Sequence, residues 1–118
     1  MTSSSLQSLN QPLLVLTNVP DEELARSLAR SLVEGGLAAC VNVLAPVASV
    51  YRWQGAIEQA VEVPLLVKTT QARYPEVEQA IVAAHPYDVP EIVAIPVSAG
   101  LPAYLRWMDE ETRKPLQT

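Results

Sequence analysis

The chain has 118 residues, 49% of them apolar and 18% charged, with a formal net charge of −5. That length and balance fit one globular domain with its own core and exclude a disordered chain. The acidic excess, with only 8 scattered basic residues, excludes nucleic acid and an anionic membrane surface as partners, because both need clustered Lys and Arg.

Residues 1–11 are dominated by Ser, Thr, Gln and Asn and read as a loose tail. Residues 13–18 (LLVLTN) are almost wholly apolar, as in a strand buried on both faces. Pro20 suits the first position of a helix, with Asp21, Glu22 and Glu23 complementing the dipole in its first turn. Leu24, Leu28 and Leu32, flanked by Ala25, Ala29 and Val33, form its apolar stripe. Gly35-Gly36 ends it through a left-handed cap.

Residues 37–53 hold two runs rich in β-formers, LAACVNV and VASVYRW, with a bulge or bend expected at Pro46 between them. Gln54-Gly55-Ala56 is a turn. Residues 57–70 then form a second long strand, in which Pro64 marks a sheet edge or a bulge. Pro75 opens a second helix with Val77, Ala80, Ile81 and Ala84 as its stripe, and Pro86 ends it at His85. Residues 92–97 are the last strand. Gly100 turns the chain, and Pro102 starts a third helix whose buried face is Leu101, Tyr104, Leu105 and Met108. The expected fold class is α+β, a ferredoxin-like β-α-β-β-α-β domain over residues 12–112. It carries a long hairpin between its second and third strands and a short C-terminal helix, and residues 113–118 form a second tail.

The hairpin does not suit a lone domain. Fourteen residues at about 3.3 Å each span about 46 Å, whereas a compact chain of this length is roughly 35 Å across. The hairpin therefore overhangs its own core, with Trp53, Ile57 and Val61 near its tip. An overhanging, partly apolar hairpin with open edges needs a cover, and a second copy of the chain provides one. A closed homo-oligomer is expected.

One cysteine, Cys40, permits no intrachain disulfide and fits a reducing compartment. There is no basic n-region at the start and no apolar run near the roughly 20 residues of a membrane span. A cytoplasmic location without a membrane partner is expected.

Few residues offer chemistry. His85, the single histidine, reads either as a helix terminus or as a metal ligand or general base, with Tyr87, Asp88 and Glu91 close by on a loop stiffened by Pro86 and Pro90. Cys40 reads as a small buried hydrophobe or as a ligand or nucleophile. Lys68-Thr69-Thr70 ends a strand before a helix, where polar groups are often presented. Ser49, Tyr51 and Trp53 share one strand face, and the two aromatics are expected to make a subunit contact. No CxxC, HxxxH or CxH spacing, phosphate loop or Ser-centred elbow is present. Nothing assembles a catalytic set, and an acyl-phosphate hydrolase on this fold lacks an Arg or Asn placed to hold phosphate.

Four stretches carry a family likeness: AACVNV (38–43), SVYRWQGAIE (49–58), LLVKTT (65–70) and HPYDVPEIVAIPV (85–97). In order and spacing they resemble the CutA family of divalent-cation-tolerance proteins, from about Leu13 to Trp107. The resemblance implies a ferredoxin-like subunit in a tight homotrimer similar to that of PII-like signalling proteins. It also implies tolerance of copper and other divalent cations without an established enzymatic reaction. No cofactor is implied as required; Cu(2+) or another divalent cation is the ligand the likeness suggests. The family's recurring polar positions fall here on Cys40, Trp53, Lys68, Thr69, Tyr74, His85, Tyr87 and Glu91, and imply clefts between subunits. Metal binding would fall to His85, Cys40 and Glu91. In some members the metal site is attributed to a cysteine ending the first strand and to paired histidines before the Pro-Tyr; this chain has Thr17 and Ala84-His85 there. The second reading is a PII-like regulatory module that binds an anionic metabolite through Lys68.

Overall fold

A computed structural model describes residues 9–113. Their regular elements run β1 (Pro12–Val19), α1 (Glu22–Glu34), β2 (Cys40–Val43), β3 (Val47–Trp53), β4 (Ala56–Thr70), α2 (Tyr74–Ala84), β5 (Ile92–Pro96) and α3 (Pro102–Thr112). Every strand pairing is antiparallel, in the order β2-β4-β1-β5, and β3 runs beside β4 beyond the end of β2. This is the expected ferredoxin-like α+β arrangement, with its second strand split in two.

The split has a local cause. In an extended strand the N–H and C=O of one residue point to the same side. Pro64 accepts from the Leu44 N–H through its carbonyl at 3.0 Å, so its missing N–H faces β2 and β3. The chain leaves the ladder at residues 44–46, where Pro64 has no donor to offer. Pro46 sits in this interruption, and Pro64 lies at a bulge inside a central strand, not on an edge.

Alternation along β1 buries Leu13, Val15, Thr17 and Val19 on one face, opposite Thr69, Val67, Leu65 and Val63 of β4. Onto this face α1 brings Ala25, Leu28 and Leu32, and α2 brings Val77 and Ile81. The expectation that β1 is buried on both faces is corrected: Leu14, Leu16 and Asn18, on its other face, are only half-buried. Beside them Val93 and Ile95 of β5 are exposed.

The helix ends differ in detail from expectation. Asp21, not Pro20, caps α1, accepting from the Leu24 N–H at 2.8 Å, so Pro20 stands outside the helix. At the other end Gly36 takes φ +69°, and the Leu37 N–H returns to the Leu32 carbonyl at 3.0 Å, which makes the left-handed cap. The buried Arg73 guanidinium then holds the Gly36 carbonyl at 3.2 and 3.3 Å and Glu76 at 3.0 Å. Ala84 is exposed, unlike the rest of the α2 stripe. In α3 only Met108 and Thr112 are buried, while Leu101 and Tyr104 are exposed. Its buried residues thus lie in its C-terminal half.

Residues 9–11, at the edge of the expected tail, bond to the chain that follows β4 and β5. The Leu9 and Gln11 carbonyls accept from Ala72 and Gln71, each at 2.9 Å, and the Gln11 side chain donates to the Val97 carbonyl at 3.0 Å. The rest of both expected tails, residues 1–8 and 114–118, lies outside the described residues.

The β3–β4 hairpin overhangs as the strand lengths require, and the described chain measures 48 × 30 × 29 Å. Its tip is a two-residue turn in which Gln54 and Gly55 both have positive φ, 50° and 84°, the primed geometry that matches strand twist. Val50, Ile57 and Val61 on the overhang are more than half exposed, at 63%, 62% and 68%.

Candidate functional site

Pro86 denies α2 a further turn, and this places His85 at its C-terminal cap. The ring is 8% exposed and held on both sides. Nε2 lies 2.6 Å from the Asn18 carbonyl, which can only accept, so Nε2 carries the proton and donates. Nδ1 lies 3.2 Å from the Tyr87 N–H, which can only donate, so Nδ1 is bare and accepts. The neutral Nε2–H tautomer follows from these partners. The Tyr87 ring packs against the imidazole at a centroid distance of 4.5 Å, and the Asn18 side chain donates to Glu91 Oε1 at 3.0 Å. Asn18 thus pins both ends of the 85–91 loop to the end of β1.

Between this loop and the overhanging hairpin lies an open cavity of about 720 Å³. The register pairs Tyr51 with Glu58, Val47 with Glu62 and Trp53 with Ala56. Strand alternation then sets Tyr51, Trp53, Glu58 and Glu62 on one hairpin face. The loop contributes Tyr87, Asp88 and Glu91 from the other side. The lining contains no Lys, Arg or His among the described residues. The Tyr87 phenol is pushed above its ordinary pKa, first by burial and then by the Glu62 carboxylate and Tyr51.

The eight positions implied by the resemblance fall into two groups. Trp53, Tyr87 and Glu91 line the cavity, with His85 behind Tyr87. Cys40, Lys68, Thr69 and Tyr74 lie toward the other end of the sheet, where Cys40 pairs with Lys68. There Lys68 Nζ reaches the Tyr104 hydroxyl at 3.4 Å, and the buried Thr69 hydroxyl donates to the Leu37 carbonyl at 2.6 Å. The Tyr74 hydroxyl donates to Glu78 at 2.8 Å. Its pKa is pushed up to about 12, first by burial and then by Glu78. The sequence motifs do not single out Glu58 and Glu62 as site residues. Strand alternation carries the signal: with the turn at 54–55 fixed, counting outward by twos puts both on the same hairpin face as Tyr51 and Trp53.

Within one chain these residues do not fit a copper site. Both ring nitrogens of His85 are engaged in hydrogen bonds. Cys40 belongs to the Lys68–Leu14 row of the sheet and His85 to Asn18, four residues further along β1, about 13 Å away along the strand. The Thr17 hydroxyl is buried without a hydrogen-bond partner but is no replacement for a thiolate toward soft copper. No group of three His, Cys, Asp or Glu side chains is placed to hold a metal among the described residues.

A split-strand ferredoxin-like domain with a projecting hairpin and a His-Pro-Tyr loop folded beside it defines a narrow class. The profile described as "CutA1 divalent ion tolerance protein" matches residues 13–111. The divalent-cation tolerance protein CutA of Thermus thermophilus is 50% identical over 99 residues, covering 84% of this chain and 96% of the relative. The mouse protein CutA is 41% identical over 93 residues, covering 79% of this chain and 52% of the relative. Among solved structures, the divalent cation tolerance protein (Cut A1) from Thermus thermophilus superposes with a TM-score of 0.84 at 48% identity, covering 86% of this chain and 98% of that one. CutA1 from a psychrotrophic Shewanella species gives 0.85 at 39% identity, covering 88% and 97%. The chain belongs to the CutA1 divalent ion tolerance family.

Proposed function

We propose that the protein is a non-enzymatic homotrimer that takes part in divalent-cation tolerance by binding ions or small ligands at clefts between its subunits. The observation that carries the assembly is the overhanging hairpin, whose Ile57 and Val61 have no cover among the described residues. Apolar side chains exposed together on a projecting ribbon are stabilised by burial against another copy. The clefts follow from the same geometry, because the hairpin face carrying Trp53 is already half-enclosed by the Tyr87–Glu91 loop. Copper is the ion the family likeness suggests. Since one chain does not supply its ligands, a copper site requires donors from two subunits. The family and its relatives are described as ion-tolerance proteins, in keeping with a role without catalysis, and the free Cys40 fits a cytoplasmic home.

The anion-binding alternative has less support. The Lys68 ammonium lies against the Tyr104 hydroxyl and ring, and the large cavity is lined by carboxylates. Sedimentation at micromolar concentration tests the assembly: a trimer mass is expected, and a stable monomer would overturn the proposal. Calorimetry with copper and ATP tests the ligand reading, and tight ATP binding abolished by Lys68→Ala would favour the alternative.

A further inference from the structure

The geometry points to an organic polycation of the linear oligoamine type as the ligand of the cavity between the β3–β4 hairpin and the 86–91 loop. This deepens the cleft-binding reading by naming the ligand class. It rests on that reading only for the choice of site, since every wall described comes from one chain. Four carboxylates, Glu58, Glu62, Asp88 and Glu91, border the cavity. On an open surface they would be a solvated acidic patch. Here they border a concave space that also holds the rings of Tyr51, Trp53 and Tyr87.

Each part has a chemical reading. Aromatic faces attract ammonium groups and pack against methylene chains. Carboxylates spread across the cavity match several positive charges better than one. The volume of about 720 Å³ lies in the range of small-molecule sites, roughly 300–1,000 Å³, far above what a bare divalent ion occupies. With no Lys, Arg or His lining it among the described residues, the wall that this chain supplies disfavours anions such as nucleotides. The raised Tyr87 phenol pKa has burial as its first cause and Glu62 as its second, in keeping with a negative potential at the ring.

Calorimetric titration with spermidine at constant ionic strength, run with sedimentation on the same sample, tests this. One saturable site per chain is expected. Affinity should fall about tenfold or more in Glu58→Gln/Glu62→Gln and in Tyr87→Leu, and magnesium at matched ionic strength should not displace the amine. Trp53→Leu, remote from the His85 contacts, covers the case in which Tyr87→Leu fails to fold, and the same loss is expected. No saturable binding, equal displacement by magnesium, or unchanged affinity in the aromatic variants would overturn the inference. A trimer that does not bind spermidine overturns this ligand assignment and leaves the assembly standing. A monomer that binds it overturns the assembly and leaves the cavity assignment standing.

Discussion

His85 supports the loop that walls the cavity, and its substitution separates structural from metal-binding roles. Truncation to alanine removes a buried ring and leaves the Asn18 carbonyl and the Tyr87 N–H without their partners. A loss of about 2–4 kcal/mol is expected in urea unfolding, with little change in copper affinity measured alongside. Thr17 works in the opposite direction. Its hydroxyl is buried without a partner, so Thr17→Val keeps the shape, removes the unmet group and should add about 1–2 kcal/mol. Tyr74 gives a pH test. Its folded pKa of about 12 stands above the ordinary 10.0, so the protonated phenol is favoured by folding. That contribution is complete below the ordinary pKa and is lost as pH rises through the folded value. Ultraviolet difference titration against Tyr74→Phe should show one late-ionising phenol. Glu78→Gln should move it only part of the way back, because burial is the larger cause. At this scale the sequence was half legible: Pro86 announces the helix end at His85, but the ring's acceptor is on Asn18, 67 residues earlier, and no local pattern encodes that contact.

The elements were more legible, because their signals are local. Pro20 before an apolar stripe, Gly35-Gly36 after it, and Pro75 and Pro86 around α2 bracket the helices within about two residues, although the cap itself falls on Asp21. The hairpin turn shows what such signals do not fix. Gln54-Gly55 reads as a turn in any case, but the positive φ of both residues follows only from the twist of the two strands it joins. Gly55→Ala isolates that constraint, since a Cβ there meets nothing within 4 Å. The cost is conformational, about 1 kcal/mol in thermal unfolding, and a larger loss would show that the tip packs against something in solution. The interruption between β2 and β3 was legible as two prolines but not as one event. Only the pairing of Leu44 with Pro64 shows that a missing donor in β4 opens the neighbouring strand.

At the scale of the whole molecule, arithmetic on strand length foretold a shape that composition could not. Fifteen residues of β4 outrun the core that α1 and α2 cover, and the excess projects as a ribbon with two unlike faces. One carries the acids and rings of the cavity; the other presents Ile57 and Val61 to solvent. If subunits assemble on that second face, a charge placed there must be buried by assembly or prevent it. Burying an unpaired carboxylate costs several kcal/mol, and a closed trimer would incur that cost at each of its symmetric interfaces. Val61→Asp should therefore sediment as a monomer at micromolar concentration while keeping the circular dichroism of the parent, because Val61 packs against no core residue of its own chain. Val50→Asp, on the strand opposite, should weaken assembly in the same direction. Trimers of unchanged mass and melting temperature from both variants would place the interface elsewhere, with the half-covered sheet face of Leu14, Leu16, Val93 and Ile95 as the next surface to charge.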